Sequence, residues 1–357
     1  RPAAMAWAGA AGGGGAGYSG GGEGSDTLGP YLSALADRSE AVQLKAAKSL
    51  RLFVEAEAQE MSRGAFSSFM TFTTKRMYDL LRSADSHQRI GGILAIEELI
   101  EVPCEDNETK IVRFAIYLRM VFQLPSVDAA TLTHAARALG RLARSGSAVT
   151  ADFVEFELMR SIDWLRAEGR ADMKLHAAVL VLKELATNTP ALFSPLIPAF
   201  VESIFVAIQY DGQLVVREAA AGALRAVLAI LAARGGAGPH CCWWLTRVAE
   251  QAAEGLRQAE AAAAVHGSLL AIGALLRHSP QDFLRPRFDG ICHDVFECRA
   301  HRHRDVQQAV VELLPHLARF DPLRFAERWL EPAVAHLLGV AGGAAAGEAA
   351  GGGYFGG

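Results

Sequence analysis

The residues best suited to chemistry in this chain lie in one run, Cys292-His293-Asp294-Val295-Phe296-Glu297-Cys298-Arg299-Ala300-His301-Arg302-His303. Thiolate and imidazole are the usual zinc ligands, and structural sites present them in close pairs such as C-x2-C. Here five residues separate Cys292 from Cys298 and two separate Cys298 from His301, which matches no common zinc pattern. On one helix the two cysteines would stand about 600° apart, a poor arrangement for sharing an ion. The run reads as a buried thiol pair beside a polar turn, and no metal ligand is assigned.

Gly12, Gly14 and Gly17 satisfy G-x-G-x-x-G. A dinucleotide site needs a strand before that motif and a helix after it, and neither is readable here, so the match is what glycine-rich sequence yields by chance. No G-x-x-x-x-G-K-[ST], H-R-D or D-F-G element occurs, so no catalytic residue, cofactor-binding residue or ATP site is assigned. Cys241-Cys242-Trp243-Trp244 opens a helix and reads as packing rather than redox chemistry. Arg137, Arg141 and Arg144 recur at i, i+4 and i+7 and share one helical face. They are the candidate protein contact, able to receive an acidic partner segment; the plainer reading is a solvated face.

The elements that must position these residues are helices. Apolar residues make up 51% of the chain but aromatics only 8%, so the core leans on Ala and Leu, which are strong helix formers. The formal charge of −4 gives no basic surface for nucleic acid or anionic membrane. Five cysteines without framework spacing and no signal-type opening imply a reducing compartment. The most apolar long window, 214–233, contains Arg217, Glu218 and Arg225, so no transmembrane span is expected. Residues 1–25 and 339–357 are Gly/Ala-rich and are expected to be disordered tails. A chain opening on Arg1 rather than Met is expected to be a fragment or an incomplete gene model.

Between the tails, residues 26–338 repeat one pattern: a polar entry, two small residues and an apolar helical run. The first small residues are Ala46, Gly91, Ala135, Ala177, Ala219, Gly267 and Ala309, spaced 42 to 48 apart. A period near 42 lies in the HEAT/armadillo range. Each unit carries an earlier amphipathic segment, so it is a helical hairpin, and about seven full hairpins plus one partial should stack into an all-α solenoid. Gly91-Gly92, Ala135-Ala136, Ala177-Ala178, Ala219-Ala220 and Gly267 then mark where second helices approach their neighbours closely, and Gly92→Leu should overpack. Ile93, Ile96 and Ile100 should form a buried stripe while Glu97, Glu98 and Glu101 face outward. Glu40, Asp85, Asp128, Asp172, Asp211 and Asp305 are expected just ahead of the second helices, where they should cap free N–H groups and complement the dipole. Pro315 should kink its helix. His134, His176 and His266 share one repeat position and should be structural.

Several segments also carry a resemblance. QRIGGILAIEELI (88–100), ADFVEFELMRSIDWL (151–165), LHAAVLVLKELA (175–186), FVESIFVAIQYDGQLVVREAAAGALRA (200–226), VHGSLLAIGALL (265–276) and RFDGICHDVFECR (287–299) together resemble the N-terminal HEAT region of target-of-rapamycin kinases. The resemblance runs in order from about residue 26 to residue 338. It implies a piece of a large serine/threonine kinase whose catalytic, rapamycin-binding and FAT regions lie downstream, with ATP and Mg bound only there. It further implies a scaffold that contacts raptor-like or rictor-like subunits and a dimer partner in nutrient and growth signalling, in the cytoplasm, at endomembrane surfaces through partners, or in the nucleus. The alternative is a free-standing HEAT adaptor.

Overall fold

The structure, a computed structural model, describes residues 27–351 apart from 146–147, 170, 235–238 and 259. The G-x-G-x-x-G glycines, the first tail and residues 352–357 lie outside the described residues. Among the described residues every regular element is helical.

Helices alternate between two layers. The second helices are α2 (Glu40–Glu60), α4 (Ser86–Leu99), α6 (Ala129–Arg144), α8 (Asp172–Asn188), α12 (Leu214–Ala233), α14 (Ala262–His278) and α17 (Arg304–Phe320). The first helices are α1 (Gly29–Leu35), α3 (Arg63–Leu81), α5 (Asn107–Val121), α7 (Ala148–Arg166) and α13 (Pro239–Arg257), together with two broken ones. Each second helix packs on the next along the whole series, and the first helices touch one another more sparsely. Closer packing on one side places the second helices on the inner side of the curve, as in an α-solenoid. Phe114, Phe193, Phe200, Phe288 and Phe296 are fully buried in one continuous core.

Proline decides where the first helices break. The amphipathic segment 191–210 does not form one continuous helix. Instead it divides into α9 (Pro190–Phe193), a 3-10 turn (Ser194–Leu196), α10 (Ile197–Ser203) and α11 (Phe205–Ile208). Pro195 and Pro198 lack the N–H that a continuous helix needs. Pro286 divides α15 (Gln281–Leu284) from α16 (Phe288–Glu297) in the same way, through the turn Arg285–Arg287. Pro315, by contrast, lies inside α17, which runs unbroken from Arg304 to Phe320.

The chain closes with α18 (Pro322–Arg328) and α19 (Leu330–Gly351). Residues 339–351, expected as a structureless tail, therefore continue α19; their alanines are the strongest helix formers.

The acidic entries divide by position. Asp85 accepts the His87 N–H at 2.9 Å and Asp128 accepts the Thr131 N–H at 2.8 Å, and each caps its helix. Glu40, Asp172 and Asp305 sit inside the first turn instead, where they complement the dipole. Asp211 lies too far ahead of α12 to cap it, and Gln213 holds the cap position. At the other end of α4 the buried Lys110 ammonium donates to the Leu99 and Ile100 carbonyls at 3.2 and 3.1 Å and to that of Val102. A cation on free C-terminal carbonyls satisfies them and complements the dipole.

Candidate functional site

The small-residue pairs sit at a three-way junction, and the two members of each pair do different jobs. Gly91 faces the preceding hairpin: a methyl group there would overlap the Leu35 carbonyl at the end of α1. Gly92 faces its own hairpin: a Cβ would lie 2.6 Å from Leu81 Cδ1 and 2.9 Å from Leu80 Cβ on α3. Gly267 repeats the Gly91 arrangement against the Ile208 carbonyl at the end of α11. Ala135, Ala136, Ala177, Ala178 and Ala220 are fully buried, whereas Ala219 is half-buried. Gly91, Gly92 and Gly267 are therefore points where helices approach closely.

The arginine stripe lands on the inner layer, but its acceptor is internal. Arg137 holds Glu97 in a two-pronged contact, Nε to Oε1 at 3.0 Å and a terminal nitrogen to Oε2 at 2.9 Å. Arg141 lies 3.4 Å from Glu97, 3.9 Å from Glu98 and 3.7 Å from Glu101. Arg51 reaches Glu98 from the other side at 3.7 Å. A ladder of alternating charge thus crosses α2, α4 and α6. Glu97, expected to face outward, is 5% exposed; the neighbouring helix covers it and supplies the counter-charge that burial demands. Arg144 makes no such pair among the described residues and lines an open cleft with Glu101 and Cys104.

The three repeat histidines are buried, and burial pushes all of them below the usual imidazole value. His266 falls furthest, to about 4, because burial is reinforced by Arg217. Arg217 Nε donates to His266 Nδ1 at 3.2 Å, which assigns the imidazole proton to Nε2. Arg217 also donates to the Tyr210 carbonyl at 2.9 Å and lies 3.7 Å from Asp305, so it ties three repeats together. Below its unfolded value of 6.5 the free imidazole takes a proton that the folded one refuses until about pH 4. Stability from this group is therefore complete above pH 6.5 and lost as pH falls from 6.5 towards 4. Urea denaturation across that interval should show a steeper decline for the parent than for His266→Gln, by on the order of a few kcal/mol over the interval. Equal slopes would remove His266 from the pH response.

The Cys292–His303 run is not assembled into a ligand cluster. Cys292 is fully buried in α16 and Cys298 is 8% exposed, while His293 is exposed. Burial, aided by nearby carboxylates, raises the Cys292 thiol to about 12 and the Cys298 thiol to about 11. Cys298 donates to the Asp294 carbonyl at 3.3 Å. Neutral buried thiols are poor nucleophiles and poor metal ligands. Trp243 and Trp244, from the other cysteine-containing run, meet edge to face with centroids 4.2 Å apart, and Trp243 is 54% exposed; the side chain of Cys241 lies outside the described residues. Among the described residues no helix is long and apolar enough to cross a membrane.

Two charge arrangements escaped the sequence reading. One is Glu157 on α7, which is fully buried. It accepts Arg119 Nε at 2.6 Å, and Arg160 lies against its second oxygen. Nothing in the local pattern marks Glu157 as buried, because its partner comes from α5. The other is Arg225, which occupies the same repeat position as Arg141 and Lys183; that register was the available signal.

No family model matches the chain. It is 37% identical over 308 residues to the serine/threonine-protein kinase tor1 of Schizosaccharomyces pombe, covering 86% of this chain and 13% of that protein. It is 38% identical over 323 residues to the serine/threonine-protein kinase TOR of Arabidopsis thaliana, covering 90% and 13%. A third relative, TOR2 of Saccharomyces cerevisiae, is 32% identical over 291 residues, covering 79% and 11%. The chain thus spans about an eighth of the length of these relatives. Among solved structures, Kap121p bound to RanGTP superposes with a TM-score of 0.59 at 14% identity, over 88% of this chain and 31% of that one. Importin beta gives 0.55 at 12% identity, over 86% and 37%. At such identities the likeness is one of fold, a helical-repeat solenoid. The relatives and the repeat architecture agree: this chain belongs to the target-of-rapamycin family of serine/threonine-protein kinases and matches its N-terminal HEAT-repeat region.

Proposed function

We propose that the chain is a non-catalytic scaffold segment of a target-of-rapamycin-like kinase and mediates protein–protein assembly of that kinase's complex in nutrient and growth signalling. The observation that carries this reading is the combination of coverage and fold. The chain aligns with these kinases over 79–90% of its own length but only 11–13% of theirs. The described residues form a stack of hairpins whose surface, rather than an enclosed pocket, is what they offer. ATP and Mg would bind elsewhere in the parent protein. Partners would be raptor-like or rictor-like subunits and a second kinase copy, met in the cytoplasm, at endomembrane surfaces through those subunits, or in the nucleus.

The test is capture by the immobilised 357-residue chain. Recovery of raptor-like or rictor-like subunits from an extract, with no phosphotransfer by the purified chain, is expected. Failure to retain either subunit under conditions where the chain is folded would favour a free-standing adaptor. Phosphotransfer abolished by a substitution within this chain would overturn the non-catalytic reading.

A further inference from the structure

The charges on the inner layer are sorted along its length. Towards the N-terminal end, Glu97, Glu98 and Glu101 answer Arg51, Arg137 and Arg141. Towards the C-terminal end Arg217 meets Asp305 at 3.7 Å, but a second group of cations is left without a carboxylate partner among the described residues. Arg225 on α12 is half-buried, and its guanidinium is pushed down by burial and by Arg277 on α14. An Arg277 terminal nitrogen stands 2.5 Å from His316 Nε2 on α17. His316 is pushed down by burial and by Arg277 and Arg319, against an opposing pull from Glu312. Among the described residues no carboxylate lies within 4.0 Å of Arg225, Arg277 or Arg319. Glu312, which acts on His316, already accepts an amide N–H from Gln308 at 3.0 Å. Gly273 occupies on α14 the repeat position that Arg225 holds on α12, so no charged side chain stands at that position of α14.

We propose that Arg225, Arg277, Arg319 and His316 form a docking strip for an acidic, extended segment of a partner protein, laid across the inner faces of α12, α14 and α17. A half-buried cation beside other cations is unfavourable without an anion, and an incoming carboxylate would relieve that repulsion as well as pair with the guanidinium. Helices in contact stand about 8–10 Å apart, and an extended peptide advances about 3.3 Å per residue. A carboxylate at about every third residue would therefore meet one helix after another. Guanidinium forks suit carboxylates in particular. A nucleic-acid backbone is the less suitable occupant, because the strip covers only three helices of a chain whose net charge is −4. The proposal is independent of the kinase-scaffold reading, since a free adaptor would carry the same strip.

The test uses the full chain and a fluorescent peptide of about twelve residues, Gly/Ser with Glu at every third position, long enough to cross three helices. Anisotropy should report binding that weakens with added salt. The triple variant Arg225→Gln, Arg277→Gln, Arg319→Gln should weaken it by about tenfold or more, whereas Lys at the same three positions should fall in between, keeping the charge and losing the fork. Arg247→Gln, on the first-helix layer, should leave it unchanged. If the triple variant fails to fold, Arg277→Gln and Arg319→Gln singly, both at exposed residues, carry the test with a loss of about threefold each. Absence of binding, equal binding by the Gln variants, equal binding of a peptide with Lys in place of Glu, or tighter binding of an oligouridylate would each overturn the proposal.

Discussion

Replacement of Glu157 by alanine is expected to destabilise the third and fourth repeats by about 3–5 kcal/mol, the usual consequence of removing one partner from a buried ion pair. Glu157 is fully buried and is held by Arg119 at 2.6 Å and by Arg160 against its other oxygen. Arg160 is the reason for the size of the effect. Its side chain is only 11% exposed, sandwiched over Trp164 at 4.5 Å and near Phe122 at 5.8 Å. With the carboxylate gone, that guanidinium has no anion and no route to water. Arg119, at 26% exposure, can turn outward. The solenoid is not a single cooperative unit, so hydrogen exchange is the sensitive readout. Protection should fall first in α5, α7 and α8. The double variant Glu157→Leu, Arg160→Met should recover most of the loss, because two apolar groups of similar volume need no counter-charge. If the alanine variant keeps parental protection, the clamp does not bear on stability.

The second large effect is expected at Gly91 and Gly267. A single added methyl at Gly91 would overlap the Leu35 carbonyl, and at Gly267 the Ile208 carbonyl. Alanine is the better helix former by about 0.5–1 kcal/mol, so local propensity alone favours both substitutions. The obstacle is backbone at the end of a packed helix, which cannot rotate aside as a side chain can. Net destabilisation of about 1–3 kcal/mol is therefore expected for Gly91→Ala and Gly267→Ala. Gly92→Ala should be milder, because its nearest contact, Leu81 Cδ1, is a side-chain end that can rotate, and its fixed neighbour Leu80 Cβ, at 2.9 Å, overlaps far less than the carbonyls that face Gly91 and Gly267. Denaturation midpoints in the order Gly92→Ala above both Gly91→Ala and Gly267→Ala would bear this out. A stabilised Gly91→Ala would show that α1 moves away at no cost. The bulkier Gly92→Leu remains an overpacking substitution, but the backbone-facing glycine is the more sensitive partner of the pair.

How far the fold was legible follows from which contacts are local. A repeat near 42 residues, the alanine and glycine pairs and the amphipathic runs are each readable in one stretch of chain, and they foretold second helices stacked in series. The broken first helices were also in principle readable, since Pro195, Pro198 and Pro286 are visible in the sequence. They were passed over because each segment keeps a helical apolar period on either side of its break. The charged surface was much less legible. Arg137, Arg141 and Arg144 recur on α6 at i, i+4 and i+7, yet whether such a stripe is free or satisfied depends on what the adjacent helix presents. Here α4 presents Glu97, Glu98 and Glu101. The net charge of −4 does not reveal that Glu97, Glu98 and Glu101 gather at α4 while Arg225, Arg277 and Arg319 have no carboxylate within 4.0 Å among the described residues.

By itself, then, the amino-acid order determined the helical class, the hairpin period, the positions where helices must approach closely, and, through its relatives, the family. All but the family rest on propensity, periodicity or spacing along one segment, and the family rests on sequence identity to relatives. The tertiary structure alone decided that Gly91 meets backbone where Gly92 meets side chain, that Glu97 and Glu157 are buried and paired, and that the cations of α12, α14 and α17 share a face without acidic partners. Those outcomes depend on residues about 40 positions apart brought within a few ångströms by stacking. Coulomb energy and steric overlap depend on that distance in space, which no single segment encodes.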